Sequence, residues 1–145
     1  MHDYYYITLE EAVSIHERTI AHSGGGTLEI IDLGKLESVL SHIKNDDYYP
    51  SFVDKLSHLF FCTCQFHCFA DGNKRLAITL SAQFLLNNGY MSVAKTFFQT
   101  MENISYNVAM GKIDKELLTE ILKSVLDGDY KTNEELKLKI VHALM

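Results

Sequence analysis

Apolar residues recur at three- and four-residue intervals along almost the whole chain, and nowhere do they alternate every second residue. That spacing lines up side chains on one face of a helix, whereas a half-buried strand needs a two-residue period. Leu33, Leu36, Val39, Leu40 and Ile43 follow it, and so do Leu117, Leu118, Ile121, Leu122 and Val125. A single proline, Pro50, leaves long stretches in which no residue opposes a helix. The pattern predicts an all-α protein, a compact bundle of six to seven helices. At 145 residues, 47% of them hydrophobic, the chain suits one domain, spanning 1–145, with a core of its own.

Punctuation residues divide the bundle. Thr8 and Glu11 form a capping box, each side chain satisfying the other's backbone donor, and open a helix that runs to about residue 22. Gly24, Gly25 and Gly26 make its continuation costly. Asp32 caps a second helix, and the run from Asn45 to Pro50 breaks it. A short extended flap is expected there, before the helix that Ser51 starts. In that helix Phe52, Leu56, Leu59, Phe60, Thr63 and Phe66 form one stripe while Phe61, Cys62 and Cys64 fill the other sides. It should be buried nearly all round, and it delivers His67 at its C-terminal end. Further helices are expected up to Asn88-Gly89, from about 92 to Gly111, and up to Gly128. A second capping box, Thr132 with Glu135, is expected to open the last one.

Charge and composition narrow the function classes. The formal net charge is −6, and Lys74-Arg75 is the only adjacent basic pair, which argues against a nucleic-acid partner. No apolar stretch reaches membrane-spanning length, and no basic head leads into an apolar leader. Three cysteines crowded at 62, 64 and 68 do not resemble a disulfide framework, so a reducing cytoplasm is the simplest compartment. Cys62-x-Cys64-x-x-His67-Cys68 invites a zinc reading. On a helix, however, Cys62 and Cys64 project about 200° apart, and no second ligand pair stands at zinc-finger spacing. Buried thiols acting as small hydrophobes account for them better. His16, His22, His42, His58 and His142 are scattered and read as surface or satisfied helix residues. The three glycines lack the lysine and hydroxyl of a P-loop and read as a turn.

One segment stands apart: His67-Cys68-Phe69-Ala70-Asp71-Gly72-Asn73-Lys74-Arg75. An imidazole suits a general base acting on a hydroxyl nucleophile. Asp71 offers the hard carboxylate oxygen that Mg²⁺ accepts beside phosphates and water. Gly72 lets backbone approach a ligand closely, and Asn73 can donate amide hydrogen bonds to phosphate oxygens. Lys74 and Arg75 can neutralise charge, one as a point and the other as a bidentate fork. The segment empties onto a helix start, where unpaired N–H groups and the macrodipole favour an anion. Each residue alone has a bland explanation in turn chemistry or solvated surface. Their joint occurrence between two apolar helices favours phosphoryl or nucleotidyl transfer, which needs positioning and electrostatics more than covalent help.

The pattern His-x-Phe-x-Asp-Gly-Asn-Lys-Arg resembles the signature of the Fic/Doc family, and within it the Doc (death-on-curing) toxins. The likeness extends to YITLEEAVSIHERTI, to GGGTLEIIDLGKLESVL, to YPSFVDKLSHLFF and to LSAQFLLNNGY, so it covers roughly residues 6–90. It implies the all-α Fic/Doc fold, with His67 as the base, Phe69 as the anchor of the loop in the core and Asp71 as the Mg²⁺ ligand. Gly72, Asn73, Lys74 and Arg75 would line the phosphate site of ATP. Family members with Gly-Asn-Gly-Arg and an arginine three residues on transfer AMP; this chain has Lys74 and Ile78 at those places. Both departures agree with Doc, which resembles a kinase that transfers the γ-phosphate of MgATP to a threonine of elongation factor Tu. The resemblance therefore implies a protein substrate, a toxin role and, since no Ser/Thr-x-x-x-Glu-Gly/Asn element is found, an antitoxin supplied in trans. AMP transfer to a protein hydroxyl, and a catalytically silent module binding nucleotide or partner, are the alternatives. Ile31-Asp32 replaces a common Arg-Asp pair, and the segment from Ser41 to Pro50 is shorter than the usual flap, which in the family docks the target in extended form.

Overall fold

The computed structural model describes residues 3–22 and 26–145. Among them it has seven helices and no strand: α1 (Leu9–His22), α2 (Leu33–His42), α3 (Phe52–Gln65), α4 (Asn73–Asn87), α5 (Met91–Ala109), α6 (Lys115–Asp127) and α7 (Glu134–Leu144). The all-α expectation is met. Gly24 and Gly25, expected to end the first helix, lie outside the described residues.

Local signals explain most of the boundaries. Thr8 Oγ1 accepts from Glu11 N–H, and the Glu11 carboxylate accepts from Thr8 N–H. Asp32 caps α2 through Lys35 N–H, and Ser51 with Asp54 closes a capping box at α3. The cap of α7 differs from expectation. Asn133, not Thr132, accepts from Leu136 N–H, while the Thr132 hydroxyl donates to the Asp129 carbonyl. An Asn amide oxygen two bonds from Cβ reaches that donor one residue later than the capping-box register assumed.

The flap expected at 45–50 is not extended. Its residues form turns, because the Asn45 side chain accepts from both Asp47 N–H and Tyr48 N–H and its carbonyl accepts from Tyr49 N–H. The buried ammonium of Lys55 holds this loop from below. Its Nζ donates to the Ile43 carbonyl (2.8 Å) and pairs with Asp46 (2.7 Å), under the faces of Tyr4 and Tyr6. Burial alone would lower the Lys55 pKa; the bonds to Asp46 and Tyr6 outweigh it and raise it.

α3 and α4 form the centre, with α4 packed most extensively on α5 and α3, and α6 closing the far side of α3. Leu56, Leu59, Phe60, Leu76, Leu80 and Phe84 are fully buried there. Polar groups on α3 are satisfied inside the bundle: Ser57 bonds Thr119, and Thr63 donates to the Leu59 carbonyl. Phe52 stacks on Phe84 and on Tyr90, each at 4.8 Å, and fixes the N-terminal end of α3. With that end pinned, the opposite end of α3 and the start of α4 present the intervening loop at one pole of the bundle.

Candidate active site

The loop between α3 and α4 begins with a change of direction. Phe66 leaves helical dihedrals at φ −86, ψ 121, and Cys68 N–H donates to the Phe66 carbonyl at 2.8 Å. That three-residue closure is a γ-turn centred on His67, and it throws the imidazole outward. His67 is exposed and its side chain makes no hydrogen bond among the described residues.

Two residues on, Phe69 is fully buried with its ring stacked on His16 of α1 (3.7 Å, 10°). The backbone around it pairs with residues 29–32. Ala70 N–H donates to the Glu29 carbonyl, and Ile31 and Asp32 N–H both donate to the Cys68 carbonyl, making an antiparallel bridge between Ile30 and Phe69. Asn73 closes the loop on itself: its side chain accepts from Phe69 N–H (3.2 Å) and donates to the Phe69 carbonyl (2.7 Å). Its oxygen and one hydrogen are thereby engaged inside the loop, which leaves the second amide hydrogen and the backbone N–H at the helix start.

Gly72 is the N-cap of α4 in the left-handed region (φ 81, ψ 14) and supplies no side-chain cap. A Cβ there would lie 2.7 Å from Ile20 Cδ1, so glycine serves both the dihedral and the packing. The first-turn N–H groups of α4 are left for an anion. Asp71, Lys74 and Arg75 are exposed, and their side chains form no ion pair among the described residues. Lys55, by contrast, is fully engaged.

These groups open onto a cavity of about 330 Å³ lined by His67, Asp71, Gly72, Asn73 and Lys74, with Tyr106 and Met110 of the α5 end opposite. Gln65 holds that wall in place by donating to the Val108 carbonyl at 2.6 Å. A second cavity of about 280 Å³ adjoins it past Lys74 and Tyr106, lined further by Arg75, Ile78, Phe98 and Glu102. The loop's expected residues thus divide: His67, Asp71, Gly72, Asn73 and Lys74 share the first cavity, Arg75 faces the second, and Phe69 is buried and lines neither. More than half of the chain, residues 6–85, matches the family model described as the Fic/DOC family. The chain belongs to the Fic/DOC family. No curated protein matches it. Membership supports a Fic-type activity in general, the transfer of a nucleotide phosphate group, AMP or phosphate, to a protein, by enzymes that use ATP with Mg²⁺.

The donor set of this Fic/DOC protein fits such a cofactor. Asp71 presents one exposed carboxylate to the first cavity, the kind of oxygen donor that an ion held otherwise by phosphates and water would need. Cys62, Cys64 and Cys68 are free and buried. Burial pushes the Cys64 thiol up to about 12 and the Cys68 thiol to about 11, the latter with help from Asp32, so neither is a nucleophile near neutrality. No helix among the described residues is long and apolar enough to cross a membrane.

Several site residues escaped the sequence reading. His16 was classed with satisfied helix residues; it is satisfied, but by the Asp71 carbonyl (Nε2 to O, 2.8 Å). Gly26 (φ 135) passes so close to the motif that a Cβ would stand 2.5 Å from Asp71 Oδ2. Tyr106, Met110 and Gln65 carried no local signal at all, since only the packing of α5 on α3 and α4 brings them to the loop.

Proposed function

We infer that this Fic/DOC chain transfers a phosphate from MgATP to a hydroxyl on a protein, acting as a Doc-like toxin with an antitoxin supplied in trans. One observation carries the reading: an uncapped, left-handed start of α4 opens onto the same cavity as His67, Asp71 and Lys74. MgATP, when bound, supplies an electrophilic phosphorus and a nucleotide leaving group whose charge the ion offsets. Asp71 would hold Mg²⁺. The N–H groups from Gly72 to Arg75, with the Lys74 ammonium and Arg75 guanidinium, would bind the phosphates. His67, turned outward and without a competing partner, would take the proton from the attacking hydroxyl.

The choice of phosphate over AMP rests on Lys74 and Ile78. The lysine side chain lies where the two cavities meet, in room that a glycine would leave for further phosphates. Ile78 is buried and lines the second cavity with an apolar surface in place of a cation. AMP transfer is the second reading, favoured by the second cavity beside the first, which shares Lys74 and Tyr106 with it.

The isolated bridge at Ile30 supports a protein target. Ile30 faces Phe69 with one backbone edge; its own N–H and C=O point away and have no partner among the described residues. An extended stretch of a target, elongation factor Tu being the candidate that the Doc resemblance implies, can pair there beside Asp71. This role falls to Ile30 because 45–50 is held in turns near the N-terminal end of α3.

The deciding experiment uses ATP radiolabelled at either the γ or the α phosphorus, incubated with the chain and purified elongation factor Tu or a bacterial extract. Protein labelled only from the γ position is expected. Label from the α position would establish AMP transfer instead, and no label from either would reduce the chain to a binding module. His67→Ala should abolish labelling with an unchanged melting curve; labelling that survives would remove His67 as the base.

A further inference from the structure

We propose that His16 is a positioning residue, a lock on the Asp71–Gly72 peptide that keeps the Gly72 N–H turned toward the phosphate. The inference rests on the reading that this loop binds a nucleotide phosphate. His16 is almost wholly buried in α1 (1% exposed) and lies 55 residues from the loop it touches. A carbonyl oxygen only accepts, so at 2.8 Å from it Nε2 carries the hydrogen. The same ring stacks on Phe69, and its Nε2 lies 3.6 Å from where a Gly72 Cβ would be. One imidazole thus grips the motif from beneath on both sides of Ala70.

The consequence follows from peptide geometry. The peptide is planar and trans, with no cis bond among the described residues, so its C=O and N–H point in opposite directions. Drawing the Asp71 carbonyl inward onto His16 turns the Gly72 N–H outward, toward the cavity that Gly72 lines. That N–H has no acceptor among the described residues. Glycine makes the lock necessary. With no Cβ at 72, the Asp71–Gly72 peptide can rotate to an alternative in which the carbonyl oxygen, a negative dipole end, faces the anion. His16 removes that alternative by giving the carbonyl a buried donor. Phe69 and Asn73 hold the loop's path; His16 sets the sense of this one peptide.

The test separates hydrogen bonding from packing. His16→Phe keeps the stack on Phe69 and deletes the donor, while His16→Gln supplies an N–H at comparable reach. Titration of each full chain with MgATP by calorimetry should show His16→Phe weakened roughly tenfold, the effect of losing one well-placed bond to a charged acceptor, and His16→Gln restored to near wild type. The Gly72 amide resonance should shift strongly on adding MgATP or inorganic phosphate to wild type and to His16→Gln, and weakly in His16→Phe. Should His16→Phe fail to fold, ¹⁵N shifts of the His16 ring in the wild-type chain decide: an Nε2-protonated ring is expected, and an Nδ1-protonated one overturns the lock. Wild-type affinity and an unchanged Gly72 shift in a folded His16→Phe overturn this inference and leave the nucleotide reading standing. A wild-type chain that binds neither MgATP nor phosphate overturns both.

Discussion

Gly72→Ala is the substitution whose cost can be worked out most fully. Gly72 stands at φ 81, in the left-handed region, where an L side chain costs about 1–2 kcal/mol. The new methyl would also fall 2.7 Å from Ile20 Cδ1, closer than real Cβ contacts come. The terminal methyl of Ile20 must move aside, and because it is the far end of a side chain rather than backbone the added cost is about 1 kcal/mol, the low end of overpacking. The total is about 2–3 kcal/mol. Gly128→Ala provides an internal control, because Gly128 has nearly the same φ (83) and nothing within 4 Å of its Cβ position. It should cost only the dihedral, about 1–2 kcal/mol, and the loss of unfolded-chain entropy that alanine brings is common to both. Urea unfolding followed by circular dichroism measures the difference: the midpoint should fall further for Gly72→Ala, with equal slopes. If Gly72→Ala were no more destabilising than Gly128→Ala, the close approach of the loop to α1 would be refuted, and with it the packing that seats the motif.

Two further outcomes follow from named contacts. His58 has its pKa lowered to about 4 by burial first, then by Lys115, whose Nζ lies 2.8 Å from Nδ1, and by His42. The folded chain therefore resists taking the proton that the unfolded chain takes near 6.5. Stability from the neutral ring is fully present above that value and is lost as pH falls towards 4. The ring is only half buried, so screening reduces the effect to about 1–2 kcal/mol. Urea midpoints of wild type and His58→Gln should converge as pH falls through this window; parallel profiles would refute it. Asn73→Ala removes both bonds to the Phe69 backbone and leaves a part-buried N–H without a partner, a cost of about 1–3 kcal/mol. Hydrogen exchange at the Phe69 amide should accelerate well beyond that of the α4 interior, and equal rates would show the clamp to be unimportant.

What the amino-acid sequence determined by itself was whatever depends on neighbours a few residues apart. Helix periodicity, the caps at Thr8, Asp32 and Ser51, and the glycine stops are local, so the helices stood in it almost to the residue. The grouping of His67, Asp71, Gly72 and Lys74 around one cavity was equally legible, because they belong to one short segment. The failures share a cause. A flap was expected at residues 45–50, yet Asn45 folds them into turns over the Lys55 ammonium, and it is Ile30 that lies beside the motif, through a bridge to Phe69. The clamp of the Asn73 amide on the Phe69 backbone has no signal in the sequence. His16, Gly26 and Tyr106 have no motif spacing to announce them. Their part in the site depends on contacts between elements far apart in sequence, formed when α1 and α5 pack on α4. Only the tertiary structure could decide which way the Asp71–Gly72 peptide faces, because the carbonyl and the ring that holds it are 55 residues apart.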